Sequence, residues 1–253
     1  MEIIIDNMVV NYEKSGQGQP VILMHGWGQN LEMMYSIVNN LSNSYLVYNI
    51  DLPGFGYSDE PSYPYTVSDY VEFLKNFIEI NKIINPIIIG HSFGCRIALK
   101  YAAFNENVDR MILTGAAGLK SKKNILYYFR IYLFKFFRNF KNFPFIKHYV
   151  NEYIENSGSE DYRNSSPMMK EVLKNAINED AQPYLNNIKV PVLLIFGSED
   201  DATPIWMGEV LNKEIKQSKL IIYDGASHYA YLERNDDFSR DTNNFLKEGI
   251  IND

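Results

Sequence analysis

The chain has 253 residues, of which 46% are hydrophobic and 22% are charged, and this usage is typical of a folded globular protein and argues against a disordered, collagen-like or coiled-coil chain. Its formal charge of −7 at pH 7 argues against binding to nucleic acid. No apolar run approaches the roughly 18 residues of a spanning helix and the start lacks the pattern of a secretion signal, so we expect a soluble, cytoplasmic protein.

Short β-branched runs alternate along the chain with longer stretches of helical period. Residues 2–12 contain two apolar runs around Asp6 and Asn7, which predict a hairpin at a sheet edge. Six further strands are predicted, at 20–26, 45–54, 85–90, 109–115, 190–197 and 219–225. Five helices are predicted, at 31–41, 67–80, 93–104, 206–215 and 237–248. The pattern predicts an α/β fold with a mostly parallel sheet flanked by helices.

The alternation breaks after the fourth of these six strands, at 109–115, where helical, aromatic-rich sequence replaces the next strand. We interpret residues 119–186 as a helical cap inserted into an α/β core, which consists of residues 1–118 and 187–253. No internal repeat divides the chain further.

A serine lies at an abrupt boundary between a predicted strand and a predicted helix. The sequence Gly-His-Ser-Phe-Gly at 90–94 follows the apolar run of residues 87–89, and this pattern is typical of a nucleophile elbow, in which a strained turn lifts the serine hydroxyl above the sheet. The backbone N–H of Phe93 begins the helix and would face the same spot as the Ser92 hydroxyl. The alternative is an ordinary Gly-Ser turn, so further residues are needed.

A nucleophilic serine needs a base, usually histidine, and a carboxylate that orients the histidine. His25, His91 and His148 all precede the C-terminal strands, whereas folds with this elbow order their triad serine, acid, histidine. His228 directly follows the last predicted strand, where loops open onto the active face of an α/β sheet. We therefore predict that His228 is the base.

The acid should also follow a strand, and three carboxylates lie just beyond the strand at 190–197. They are Glu199, Asp200 and Asp201. Acidic residues in such a place often form a solvated turn or cap a helix, so spacing alone does not choose among the three.

Four motifs in chain order resemble those of the serine α/β-hydrolase fold family. They are HGWG at 25–28, DLPGFGYSD at 51–59, GHSFG at 90–94, and the pair GSEDDATP and GASHYAYLE at 197–204 and 225–233. The resemblance covers most of the chain outside the cap and implies an α/β-hydrolase sheet, the fold that carries the Ser-His-Asp triad of many hydrolases.

The resemblance also implies individual roles. In the family pattern the acid lies three residues after a glycine and four before a proline, which selects Asp200. The residue after His-Gly usually donates the second oxyanion-hole N–H, and here that residue is Trp27. The catalytic residues are thus expected to be Ser92, Asp200 and His228, with an oxyanion hole formed by the N–H groups of Trp27 and Phe93. Trp27, Phe93 and Tyr229 are the candidate substrate-binding side chains.

The same triad serves several reactions, so the chemistry is less defined than the site. A serine at the elbow argues against dehalogenases and epoxide hydrolases, whose elbows carry aspartate. HGWGQN with DLPGFGYS resembles the pimeloyl carrier-protein methyl ester esterases, and we expect a carboxylesterase that forms an acyl-enzyme, with a thioester as a related substrate. C–C bond hydrolases commonly carry tryptophan after the histidine, where this chain has Tyr229. That reaction and a noncatalytic, receptor-like member of the fold remain the alternatives.

No cofactor is expected. The only cysteine, Cys95, excludes an internal disulfide and any cysteine-based zinc site and is expected in the core. The GFGYSD stretch at 54–59 would place Asp59 against a pyrophosphate, so it is not a dinucleotide loop. The sequence also lacks a His-Glu-x-x-His pair and an acidic calcium loop, so neither metal nor organic cofactor is implied.

The first part of the cap is strongly basic although the protein as a whole is acidic. Residues 119–150 contain eight Lys or Arg residues, eleven Phe or Tyr residues and no acid. The simpler interpretation is a lid whose aromatic side chains cover the pocket. The alternative hypothesis is that this segment docks an acyl carrier protein or an anionic membrane surface, since both present negative charge beside an acyl chain.

Overall fold

An eight-stranded sheet forms the centre of the computed structural model, which describes residues 1–105, 107–120 and 165–248. The strands are β1 (Glu2–Ile5), β2 (Met8–Ser15), β3 (Pro20–Met24), β4 (Leu46–Ile50), β5 (Ile87–His91), β6 (Arg110–Thr114), β7 (Val192–Gly197) and β8 (Ser218–Tyr223). The α-helices within the described ranges are α1 (Tyr35–Leu41), α2 (Val67–Ile80), α3 (Phe93–Phe104), α4 (Pro167–Asn178), α5 (Ile205–Glu214), α6 (Ala230–Glu233) and α7 (Asn235–Glu248).

The strands lie in the order β1-β2-β4-β3-β5-β6-β7-β8. The pairs β1/β2 and β2/β4 are antiparallel, and every other neighbouring pair is parallel. Asp6 and Asn7 both have positive φ, 50° and 64°, as a two-residue hairpin turn requires. The predicted edge hairpin and the mostly parallel sheet are therefore confirmed.

Two apolar layers cover the faces of the sheet. Helices α2, α3 and α5 supply side chains such as Phe77, Leu99 and Leu211 to the layer on one face. Helices α1, α6 and α7 supply the layer on the other face, with Ile37 and Phe238 fully buried. The layers hold the sheet rigid, so the loops after its parallel strands start from fixed positions.

The structure differs from the predicted elements mainly at their ends. The strand predicted at 45–54 ends at Ile50, because the next side chain, Asp51, turns inward to accept hydrogen bonds from the backbone N–H groups of Leu31 and Tyr57. The helix predicted at 31–41 is a 3₁₀ turn at Leu31–Met34 followed by α1.

The predicted cap lies largely outside the described residues, including its basic part from residue 121 onward. Its described end consists of α4 and a 3₁₀ helix, Gln182–Asn187. Within the described ranges no helix has both the length and the apolar character needed to cross a membrane.

Candidate active site

Ser92 lies between β5 and α3 in a strained backbone conformation. Its φ and ψ are 49° and −105°, a combination that side-chain-bearing residues rarely adopt and that costs on the order of 1–3 kcal/mol. The turn is held by hydrogen bonds from the Ser92 N–H to Thr114 O (3.1 Å) and from the Cys95 N–H to Ser92 O (3.1 Å). The sharp strand-to-helix turn predicted from the sequence is present.

The glycines on either side of Ser92 let the helix pass close to the sheet. A Cβ atom at Gly94 would lie 2.3 Å from the carbonyl oxygen of Met24, and one at Gly90 would lie 2.9 Å from the Cys95 nitrogen. Both distances are far below van der Waals contact, so any larger residue would push α3 away from the sheet. The Gly-x-Ser-x-Gly spacing thus follows from backbone packing.

Asp200 and His228 come together at the ends of β7 and β8. His228 Nδ1 donates a hydrogen bond of 2.8 Å to Asp200 Oδ2. Asp200 is 4% exposed, whereas Glu199 and Asp201 both point to solvent. Of the three carboxylates that the sequence offered, Asp200 is the one that contacts the histidine.

Among the residues that the structure describes, four donors surround the Asp200 carboxylate. Besides His228, the Thr203 hydroxyl donates to Oδ2 at 2.6 Å, and the N–H groups of Ala202 and Thr203 donate to Oδ1 at 2.9 and 2.8 Å. Burial would raise the pKa of Asp200, but the hydrogen bonds from His228 and Thr203 outweigh it, and the pKa lies below its ordinary value. Asp200 is therefore an ionised partner for His228 at neutral pH.

The His228 ring lies at the same end of the sheet as Ser92. A Cβ atom at Gly115 would be 3.1 Å from its Nδ1 and Cε1 atoms, and Gly115 follows Thr114, which accepts the Ser92 N–H. The His91 ring, next in sequence to Ser92, is 4.8 Å from the His228 ring between centroids. Within the described ranges Ser92 Oγ and His228 Nε2 are not hydrogen bonded, and hydrogen bonds of this kind often tighten only when substrate is bound.

Two backbone N–H groups near Ser92 have no acceptor within the described parts of the chain. One is the N–H of Phe93, the first residue of α3, and the other is the N–H of Trp27 in the loop after β3. That loop lies against the elbow, because Gly94 N–H donates to His25 O at 3.1 Å. The two predicted oxyanion donors are thus on adjoining segments.

Aromatic side chains line the space beside the elbow. The Trp27 ring meets the Phe55 and Phe93 rings edge-on, with centroids 4.9 and 5.2 Å apart. A cavity of about 280 Å³ adjoins Phe55. The described residues that line this cavity are Gly28, Gly54, Phe55, Glu60, Ser165, Ser166 and Met169. Tyr229, the third candidate for substrate contact, is 38% exposed, and its ring meets the His228 ring edge-on with centroids 5.7 Å apart.

The other described histidines and the cysteine are buried and have no catalytic role in the proposed site. His25 and His91 are fully buried, and burial lowers their pKa to about 4 and about 3, so both are neutral. The Cys95 thiol is also fully buried, as predicted, and burial raises its pKa, which makes it a poor nucleophile. Within residues 1–105, 107–120 and 165–248, no three His, Cys, Asp or Glu side chains cluster as metal ligands would. His148 is outside the described ranges.

The sequence interpretation missed two side chains that support this site. Thr203 donates to Asp200 and lies 3.3 Å from His228 Nδ1, and Gln29 contacts both Gly26 and Tyr229. The position of Thr203 three residues after an aspartate is a recognisable signal, because Asp side chains often accept hydrogen bonds from the next few residues. No local pattern pointed to Gln29, whose partner Tyr229 is 200 residues away.

Comparison with known proteins places most of the chain in one family. Residues 19–150 match the family model described as alpha/beta hydrolase fold, and residues 168–253 match the model described as TAP-like protein. The AB hydrolase superfamily protein YisY of Bacillus subtilis is 28% identical, with 90% of this chain and 91% of that protein covered.

Two relatives with named activities align over similar lengths. A pimeloyl-[acyl-carrier protein] methyl ester esterase of Neisseria meningitidis is 28% identical over 91% of this chain and 93% of its own. A 2-hydroxy-6-oxo-6-(2'-aminophenyl)hexa-2,4-dienoic acid hydrolase of Metapseudomonas resinovorans is 26% identical over 93% of this chain and 86% of its own.

Among solved structures, the esterase EaEST from Exiguobacterium antarcticum superimposes with a TM-score of 0.75 at 25% identity. The superposition covers 96% of this chain and 97% of that one. The sheet order, the serine elbow and the family match agree, and the chain belongs to the α/β-hydrolase fold family.

Proposed function

We propose that the protein is a serine hydrolase that cleaves a carboxylic ester through an acyl-enzyme intermediate on Ser92, His228 and Asp200. The observation that carries the proposal is the 2.8 Å hydrogen bond from His228 Nδ1 to Asp200 Oδ2 beside the strained turn at Ser92. A histidine held this way presents its other nitrogen, Nε2, as a base. The hydrolase family and its esterase-named relatives support the same reaction class.

In the first half of the reaction, His228 Nε2 takes the proton of Ser92 as Oγ attacks the ester carbonyl. The resulting imidazolium keeps its Nδ1–H bonded to Asp200, and then gives the Nε2 proton to the departing alkoxide. In the second half, water loses a proton to the same nitrogen and attacks the acyl-enzyme, which releases the carboxylic acid and restores Ser92.

Charge on the carbonyl oxygen would be stabilised by the N–H groups of Trp27 and Phe93. Neither N–H has an acceptor within the described ranges, so both are available without breaking an existing bond. Prearranged backbone donors of this kind contribute about 10²–10³-fold each to the rate of acyl transfer. The aromatic side chains of Trp27, Phe93 and Tyr229 are proposed to contact the substrate.

Steady-state hydrolysis of a series of p-nitrophenyl esters tests the proposal. Ser92→Ala and His228→Ala should each lower turnover by about 10⁴-fold or more, as loss of a triad member does in serine hydrolases. Near-native turnover by purified Ser92→Ala would refute the assignment. A wild-type protein without turnover or burst on any chain length would favour the noncatalytic alternative.

C–C bond hydrolysis is the second candidate, and the alignment with the Metapseudomonas dienoic acid hydrolase supports it. The two reactions use the same triad but differ in the bond that breaks after the carbonyl is attacked. Assay of a ring-cleavage dienoic acid beside the esters separates them: we expect a kcat/KM for the best ester at least about tenfold above that for the dienoic acid.

We further propose that residues 119–186 form a cap over the site and that its basic part docks an anionic partner. The relative that acts on an acyl-carrier-protein ester supports an acyl carrier protein as that partner, and anionic vesicles are the comparison. Binding should weaken from about 0.05 to 0.5 M salt, where the screening length falls below roughly 5 Å. Changing Lys122, Lys123, Arg130 and Arg138 together to Gln should abolish this binding.

The cytoplasmic location stays a prediction.

A further inference from the structure

The proposed oxyanion donor and the proposed base belong to loops at opposite ends of the chain. Trp27 lies in the loop after β3, and His228 lies in the loop after β8. Catalysis requires the two groups to keep a fixed spacing around one carbonyl. A hydrogen-bonded link joins these loops directly, from Gly26 through Gln29 to Tyr229.

The Gln29 side chain uses both ends of its amide in this link. Its Oε1 accepts the Gly26 N–H at 3.0 Å, and its Nε2 donates to the Tyr229 hydroxyl at 3.2 Å. Because the Gly26 N–H can only donate, the amide oxygen must face it, so the orientation of the Gln29 amide is defined by its neighbours.

The peptide group between Gly26 and Trp27 is held as well. Its carbonyl oxygen accepts hydrogen bonds from His25 Nδ1 (2.7 Å) and from the Gln29 N–H (3.3 Å). His25 Nε2 accepts the N–H of Leu52 at 3.1 Å, which places the ring proton on Nδ1. A trans peptide directs its N–H away from its carbonyl, so these contacts set the direction of the Trp27 N–H.

At the other end of the link, Tyr229 touches the histidines of the site. Its ring lies 5.7 Å from the His228 ring and 5.5 Å from the His91 ring, between centroids. A bond that fixes the Tyr229 hydroxyl therefore also limits the movement of the His228 loop.

We infer that Gln29 and Tyr229 are positioning residues that hold the Trp27 N–H and the His228 imidazole in register through their side-chain hydrogen bond. The inference rests on the proposed function. Tyr229 is 38% exposed and Gln29 is only partly buried, so their hydrogen bond contributes little to folding. Its loss should change turnover more than stability.

Three variants test the inference on the ester that the wild type hydrolyses best: Tyr229→Phe, Gln29→Met and the double variant. Tyr229→Phe should lower kcat by about 3- to 10-fold, the range expected for one hydrogen bond, with KM within about twofold. Gln29→Met should lower kcat at least as much, because it also frees the Gly26 N–H. The double variant should fall within about twofold of Gln29→Met alone, since the two residues act through one bond.

Tyr35→Phe is the matched control. Tyr35 is 39% exposed and its hydroxyl donates at 2.9 Å to Glu13, which is not one of the proposed site residues, so this variant should keep the wild-type kcat. Melting temperatures of all variants should agree within about 3 °C. Wild-type kcat in Tyr229→Phe and Gln29→Met, or effects that multiply in the double variant, would overturn the inference.

Failure of the inference and failure of the proposed function give different results. If the wild type turns over esters and Ser92→Ala does not, but Tyr229→Phe and Gln29→Met behave as wild type, only the inference fails. If Ser92→Ala retains wild-type activity, the proposed function fails and the inference fails with it.

Discussion

Asp200 Oδ2 accepts the Nδ1–H of His228 at 2.8 Å, while the carboxylates on either side of it in sequence face solvent. Replacing Asp200 by Asn puts an amide beside His228 and removes the preference for the tautomer with a free Nε2. We expect Asp200→Asn to lower kcat by about 10³- to 10⁴-fold with little change in KM, measured on a p-nitrophenyl ester at pH 7.5 or above.

Glu199→Gln and Asp201→Asn are the matched controls for this change, since each removes one negative charge from the same loop. Both should stay within about twofold of wild type, because exposed charges interact weakly with the site. A large loss of activity in Asp201→Asn with a mild effect of Asp200→Asn would show that Asp201, and not Asp200, is the acid.

The Thr203 hydroxyl also helps to keep the Asp200 carboxylate ionised. It is 3% exposed and donates to Asp200 Oδ2 at 2.6 Å. Thr203→Val keeps the shape but removes this donor, so the pKa of Asp200 should rise and kcat/KM at pH 7 should fall by about 3- to 10-fold. Thr203→Ser keeps the hydroxyl and should retain most of the activity. A loss in Thr203→Ser together with wild-type activity in Thr203→Val would mean that packing of the methyl group, not the hydrogen bond, matters.

Substitutions of Gly94 and Gly225 distinguish the cost of a steric clash from the cost of backbone strain. Gly94→Ala would bring a Cβ atom within 2.3 Å of Met24 O, and the resulting shift of α3 should cost about 2–4 kcal/mol of unfolding free energy and displace Ser92. Gly225 has φ of 71° and no heavy atom near a Cβ position, so Gly225→Ala should cost only about 1 kcal/mol. Urea unfolding and ester turnover measure both effects. Equal destabilisation would contradict the packing argument.

Acid should destabilise the protein well before its carboxylates are protonated. Burial holds the pKa of His25 at about 4 and that of His91 at about 3, against about 6.5 in an unfolded chain. Between these values the unfolded chain binds more protons than the folded chain. The contribution of the two neutral histidines to the free energy of unfolding is therefore fully present above pH 6.5 and decreases as the pH is lowered toward 4.

The loss between pH 7 and 5 should be about 1–2 kcal/mol for each of these two histidines. The size of this loss also depends on the charges nearby, which are Asp51 near His25, and His228 and Asp200 near His91. Urea unfolding of wild type at the two pH values measures the total, and His91→Gln should lose about half of the dependence. A free energy of unfolding that is the same at pH 5 and pH 7 would rule out neutral buried histidines.

Local sequence patterns were sufficient to predict the sheet, the turn at the serine and the loop that carries His228. Strand β5 and helix α3 leave clear signals, because the first contains the apolar run at 87–89 and the second begins directly after a Gly-bracketed serine. Choosing Asp200 among three acids needed the family resemblance, since the pattern does not reveal which side chain turns inward. The short helix α6 was missed because four residues are too few to display a helical period.

Contacts between distant loops were beyond the reach of sequence patterns. Gln29 lies in a loop whose residues carry no periodic signal, and its function follows from the position of Tyr229 in the folded chain. The tautomer of His25 likewise depends on the Leu52 N–H, which belongs to a different loop.

Mass spectrometry after treatment with a fluorophosphonate shows whether Ser92 is an activated nucleophile, because this reagent forms a stable bond only with an activated serine. If Ser92 is the nucleophile, each wild-type chain should carry one adduct on the tryptic peptide that contains Ser92, with loss of ester turnover in proportion to labelling. His228→Ala should label far more slowly, and Ser92→Ala should remain unlabelled. An adduct on a different serine, or full turnover in wild type fully labelled at Ser92, would show that Ser92 is not the nucleophile.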